Sequence, residues 1–147
     1  MKSINPPALG TPRGYSNGVL VPAGSSLLAI AGQIAWDGEQ QIVSDDFTSQ
    51  FAQALGNVVT VVEAAGGGPQ DLISLTIFVT DKAEYLEATR AVGDAYRQLM
   101  GRHFPAMALV EVAALLDPRA KVEIQALAAL VSPEANSEVS TAPGGES

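Results

Sequence analysis

The stretch FPAMALVEVAALLDPRAKVEIQALA, residues 104–128, constrains the fold more than any other part of the chain. It reads as two apolar strands on either side of a turn at Asp117-Pro118, residue types that favour chain reversal. In the second strand Val122 and Ile124 alternate with Lys121, Glu123 and Gln125, the period of a half-buried strand. An acid therefore stands in a strand built for packing, and Met107 stands directly after Pro-Ala.

The elements upstream complete the pattern. Phe47, Phe51, Leu55, Val58, Val59 and Val62 recur at three and four residues, which predicts a helix over 47–65. Asp45 and Asp46 precede it as capping acids, and the Gly66-Gly67-Gly68-Pro69 run ends it. A second helix is predicted from Asp81, with Glu84 at capping-box spacing, to Gly101. LISLTIFVT is a strand, and GVLVP with SLLAIAGQIAW forms an expected opening hairpin around Ala23-Gly24-Ser25. The order strand-strand, helix, strand, helix, strand-strand is an α+β pattern, with the helices on one sheet face. Leu28, Ile30, Phe78 and Leu109 are candidates for the other face. An apolar face left uncovered by helices is expected to be buried against another subunit.

Composition narrows the function. A length of 147 residues and 47% hydrophobic content suit one packed domain. We assign it to residues 1–131, with a polar, flexible tail over 132–147. A net charge of −8, with only scattered Lys and Arg, argues against nucleic acid or anionic lipid as partner. There is no Cys, which removes thiol chemistry and thiolate metal sites. His103, the only histidine, stands at the end of the second helix, where an imidazolium would cap carbonyls. The N-terminus has no apolar segment typical of a secretory signal, and no stretch is suited to spanning a bilayer. A cytoplasmic location is expected.

Five blocks carry a resemblance: PRGYSNGV, AGQIAWDG, ALGNVVTVVEAAGG, LISLTIFVTD and FPAMALVEVAALLDPRAKVEIQALA. Together they identify the chain, over about Pro12 to Ala128, as a member of the RidA/YjgF superfamily. The resemblance implies a chorismate-mutase-like fold, with a mixed β-sheet and two helices packed on one face. It also implies a homotrimeric, barrel-like assembly with active sites in the clefts between subunits. The implied activity is hydrolytic deamination of reactive enamines and imines, without metal or organic cofactor. The ribonuclease label attached to some members suits this acidic chain poorly.

The departures from the family pattern matter as much. Imine-deaminating members carry, after Pro-Ala, an arginine that grips the substrate carboxylate; here Met107 takes that place, and a thioether cannot imitate bidentate recognition. Ala31, before Gly32, replaces a small hydroxyl residue, and Leu109 replaces a cysteine. Arg90 aligns with an asparagine of the second helix. Tyr15 and Glu123 survive. Glu123 belongs either to a solvated strand face or, as the family position implies, to a cleft where it activates water. Tyr15 is a pocket hydrogen-bond donor or an amphipathic loop residue. Arg90 either pairs with Glu87 or Asp94 along its helix or supplies the missing cation.

These residues point to a deaminase whose substrate lacks a free carboxylate, being an ester, thioester or amide. Glu123 and Tyr15 are its catalytic candidates, and Met107, Leu109, Ala31, Gly32 and Arg90 its binding candidates. The alternative is a non-catalytic trimer that binds a small molecule or acts as a chaperone.

Overall fold

The computed structural model describes residues 1–131; the tail expected over 132–147 lies outside the described residues. Six strands run β1 Lys2–Ile4, β2 Gly18–Leu20, β3 Ser26–Gln33, β4 Leu72–Val79, β5 Ala106–Glu111 and β6 Val122–Leu130. Three helices, α1 Phe47–Ala64, α2 Lys82–Glu87 and α3 Thr89–Met100, join them. Strands β3, β6, β4 and β5 form one mixed sheet in that order, and β1 pairs with β2 in a separate ribbon. The expected α+β architecture with helices packed on a mixed sheet is what the chain adopts.

Helix α1 follows its sequence signals closely. Asp46 is its N-cap, accepting from the Ser49 N–H at 2.9 Å, and its apolar stripe is buried from Phe47 through Val62. That hydrogen bond holds the Asp46 carboxyl below its ordinary value. Asp45 instead pairs with Arg119 at 3.2 Å. The second helix is broken in two at Ala88, whose φ of −102° and ψ of 8° leave the helical region. Asp81 caps α2 through the Ala83 N–H. The Lys82 N–H goes to Glu111, while Glu84 turns to Lys121 at 2.8 Å rather than closing a capping box.

One expected pairing is corrected. β2 pairs antiparallel with β1, Lys2 opposite Leu20, and β3 pairs with β6, so no opening hairpin forms. Pro22 has no N–H to give to a ladder, and Gly24 at φ +82° turns the chain away from β2. β5 and β6 are not neighbours either. β5 lies parallel to β4 and β6 antiparallel to it, on its other side. The loop over 112–121 therefore crosses the width of β4, and its Asp117-Pro118 turn, closed by the Ala120 N–H on the Asp117 carbonyl, reverses direction without making a hairpin.

The core lies between the sheet and the helices. Leu55, Val58, Leu72, Leu75, Val122 and Ile124 are fully enclosed there. The face assignment of the sheet is corrected as well. Ile30 is buried under the helices, and Leu28 and Leu109 pack against the same core. The open face carries Phe78 with the exposed Leu27, Val110 and Leu127. SLLAIAGQ has apolar residues of both parities, so its alternation leaves the phase undefined.

Candidate active site

Side chains of laterally paired strand residues share a face, and this rule separates the predicted site residues into two groups. Met107 pairs with Leu75 and Leu109 with Ile77, both buried on the helix side. Glu123 pairs with Phe78 and points to the open face. Within one chain the sheet itself stands between them.

Glu123 lines a cavity of about 370 Å³ with Gly32, Ile34, Trp36, Leu116, Asp117 and Pro118. Each wall has a traceable cause. The β3–β6 register slips between Ile30 and Gln33, and Gly32 at this irregularity lies against the acid. A Cβ there would overlap the carboxylate, with Cδ at 2.9 Å. The segment carrying Ile34 and Trp36 is tied to α1, because the Asn57 amide donates to both carbonyls at 3.0 Å and Gln53 donates to Trp36 O at 3.2 Å. The chain entering β6 is tied to the same helix by Gln50, which is fully buried. Gln50 donates to the carbonyls of Ser44 and Arg119 and accepts the Lys121 N–H at 2.8 Å. Glu123 is half-buried and makes no ion pair among the described residues. A carboxylate without a cation, set among apolar walls, is free to accept a proton from water.

The second cavity, about 210 Å³, lies on the helix side. Met107, Leu109, Ile77, Phe51 and Val92 supply apolar walls, and Arg13 and Arg97 also line it. Tyr96 stacks on Phe104, with ring centroids 5.6 Å apart, and donates its hydroxyl to the His103 carbonyl at 2.6 Å. Burial pushes its phenol well above the ordinary tyrosine value. His103 Nε2 lies 2.6 Å from the carbonyl of Leu72 in β4; the histidine ties a strand rather than capping helix carbonyls.

The remaining candidates sit apart from both cavities. Tyr15 is 39% exposed and belongs to the lining of neither. Its neighbour Ser16 is buried, donating its hydroxyl to Phe104 O at 2.6 Å and its N–H to Pro105 O at 3.0 Å. Ala31 is exposed on β3. Arg90 is exposed and pairs with neither Glu87 nor Asp94; Asp94 holds Arg97 instead. Sequence reasoning missed Ser16, Gln50, Asn57 and Arg13. Arg13, Ser16 and Asn57 lie inside blocks already singled out, whereas a single Gln in an amphipathic helix gives no signal of burial. Among the described residues, no group of His, Asp and Glu is gathered to hold a metal ion.

Comparison with known proteins agrees with this fold. The family model described as Endoribonuclease L-PSP matches residues 7–130. The chain belongs to the RidA/YjgF superfamily. A 2-iminobutanoate/2-iminopropanoate deaminase of Salmonella typhimurium is 36% identical over 104 residues, 70% of this chain and 79% of that protein. The human protein of the same name is 33% identical over 116 residues, 78% of each. Among solved structures, the Rid family protein YyfB from Yersinia pestis superposes with a TM-score of 0.76 at 30% identity, covering 88% of this chain and 98% of that one. The yjgF gene product of E. coli gives 0.60 at 34% identity, covering 87% and 98%. Against these RidA relatives, the described fold extends the likeness across nearly all of residues 1–131. No helix among the described residues is long and apolar enough to cross a membrane.

Proposed function

We propose that this RidA-family chain is a hydrolytic deaminase of an enamine or imine whose reacting end carries no free carboxylate. The observation that carries the reading is Glu123, a carboxylate without a paired cation, held against Gly32 in an apolar cavity. The names of the relatives, imine deaminases at 33–36% identity, supply the reaction class. In the reaction Glu123 takes a proton from water as the oxygen attacks the C=N carbon. Glu123 returns that proton to nitrogen to give the carbinolamine, which collapses to a carbonyl as its hydroxyl proton passes to the leaving nitrogen, released as ammonia. An enamine first tautomerises to the imine, its β-carbon gaining a proton as its nitrogen gives one up. An apolar Met107 where a carboxylate would otherwise be gripped favours an ester, thioester or amide. Loss of an arginine–carboxylate contact costs about 2–5 kcal/mol, so a carboxylate borne on the imine carbon itself is disfavoured at position 107.

Because Glu123 and Met107 lie on opposite faces of one sheet, a site using both requires a second copy of the chain. A homotrimer with clefts between subunits meets that requirement, and the exposed Leu27, Val110 and Leu127 give the open face an apolar surface to bury. The test is deamination of enzymatically generated imines, comparing free 2-imino acids with esterified and thioesterified enamines. Turnover of the masked compounds is expected to exceed that of the free acids; the reverse order would refute the carboxylate-free assignment. A non-catalytic binding role has one observation in its favour: the lining of the Met107 cavity contains no carboxylate or imidazole to serve as a general base. Silence on every imine would select it.

A further inference from the structure

The Met107 cavity has a charge pattern opposite to that of the chain as a whole. The sequence holds 16 acidic and 8 basic residues, yet the lining includes Arg13 and Arg97 and not one acid. Arg97 is neutralised by Asp94. Arg13 has no carboxylate within ion-pair distance among the described residues, so one positive charge is left uncompensated beside apolar walls. Near a low-dielectric surface such a charge attracts an anion more strongly than it would in open water.

Its placement follows from the backbone. Gly14, at φ +75°, turns the chain between Arg13 and Tyr15. Ser16 then bridges in parallel to Ala106 and is anchored by its hydroxyl and N–H to residues 104 and 105. The segment that carries Arg13 is thus fixed to the first turn of chain leading into Met107. A cation stands beside the same cavity as Met107 although none occupies position 107.

We propose that Arg13 is a specificity-determining residue that holds the negative group of a small amphipathic anion, whose aliphatic or aromatic body lies against Met107 and Leu109. The volume of about 210 Å³ is below the range of drug-sized sites and suits a compact organic acid. The inference deepens the deaminase reading and rests on it only for the reaction: the substrate carries its charge remote from the reacting carbon, at Arg13. Binding needs no turnover, so the two stand or fall separately.

The test is calorimetric titration of the full chain with 4-methylpentanoate and with its neutral amide, at low ionic strength and again at high salt. The carboxylate is expected to bind about tenfold more tightly than the amide, with the preference shrinking in salt. Arg13→Gln should remove the preference while leaving amide binding intact; Arg13 is exposed, so its replacement spares the core. Equal binding of acid and amide would overturn the proposal, as would failure of both to bind. A preference that survives Arg13→Gln and disappears in Arg97→Gln would assign the anion to Arg97 and overturn it too. If imines are not hydrolysed but the acid binds as stated, the deaminase reading fails and this one holds.

Discussion

The two cavities divide the chemistry of a reaction site between opposite faces of one sheet. The open-face cavity has the carboxylates of Glu123 and Asp117, a glycine that makes room for Glu123 and no cation in its lining. The helix-side cavity has cations, aromatic rings and no acid. One is equipped to move a proton and the other to hold a charged, apolar-bodied molecule. Under the proposed reaction the unit of function is larger than the chain, since neither half alone supplies both a base and an anion site.

The largest effect is expected from Glu123→Gln. The substitution keeps shape and removes the base, so turnover should fall by about 10²-fold or more, with the thermal midpoint unchanged. Retained turnover in steady-state assays would move the proton transfer elsewhere and dissolve the contrast between the faces. Next comes Gln50→Ala, which removes a fully buried amide and strands the Lys121 N–H and two carbonyls that it serves. A loss of roughly 2–3 kcal/mol in urea unfolding is expected; a loss near zero would mean that α1 does not hold the approach to β6. Gly32→Ala tests the open face more finely. The added methyl meets the flexible end of Glu123, so the fold should survive while the carboxylate swings aside. Activity should fall about tenfold, within the range for a misplaced catalytic group. Full activity would show that the observed carboxylate position is not the reacting one.

How much of this was legible depends on whether the deciding contact is local. Helix α1 was readable because its cap, its stripe and its glycine stop lie within the segment. The alternation of β6 correctly opposed Glu123 to Val122 and Ile124. The opening hairpin failed, and the order of the late strands was not legible, because strand pairing is settled by partners far away in sequence: β3 found β6, and β4 inserted between the two late strands. The break at Ala88 was hidden because an alanine there is compatible with unbroken helix. At the site, Glu123 stood out as an acid in an apolar strand. Gln50 and Asn57 did not, since an amide on a helix reads as solvated until the carbonyls it serves, at Ser44, Arg119, Ile34 and Trp36, are placed in space. Arg13 was overlooked because its meaning lies in a cavity wall built by β5 and α3.

Met107→Arg probes the helix-side cavity from within. It introduces a guanidinium among apolar walls, and affinity for a small carboxylate should rise about tenfold. A rise confined to the Arg13→Gln background would show that Arg13 already fills the role; no rise in either background would remove Met107 from the site.

The smallest effect concerns the pair that joins α2 to the approach to β6. Lys121, the residue before β6, donates to Glu84 of α2 at 2.8 Å. That hydrogen bond raises the ammonium above its ordinary value, outweighing the opposing effect of burial. The proton is therefore held more tightly in the folded chain than in the unfolded one. The resulting stabilisation is fully present below the ordinary lysine value of about 10.4 and is lost as pH rises through the raised folded value. Both side chains remain about one-third exposed, so the contribution should stay under about 1 kcal/mol. Thermal midpoints of the parent chain and Lys121→Met should accordingly differ near neutrality and converge in strong alkali. A difference that persists there would trace the effect to the packing of the lysine stem, and α2 would then be joined to the approach of Glu123 by apolar contact rather than by charge.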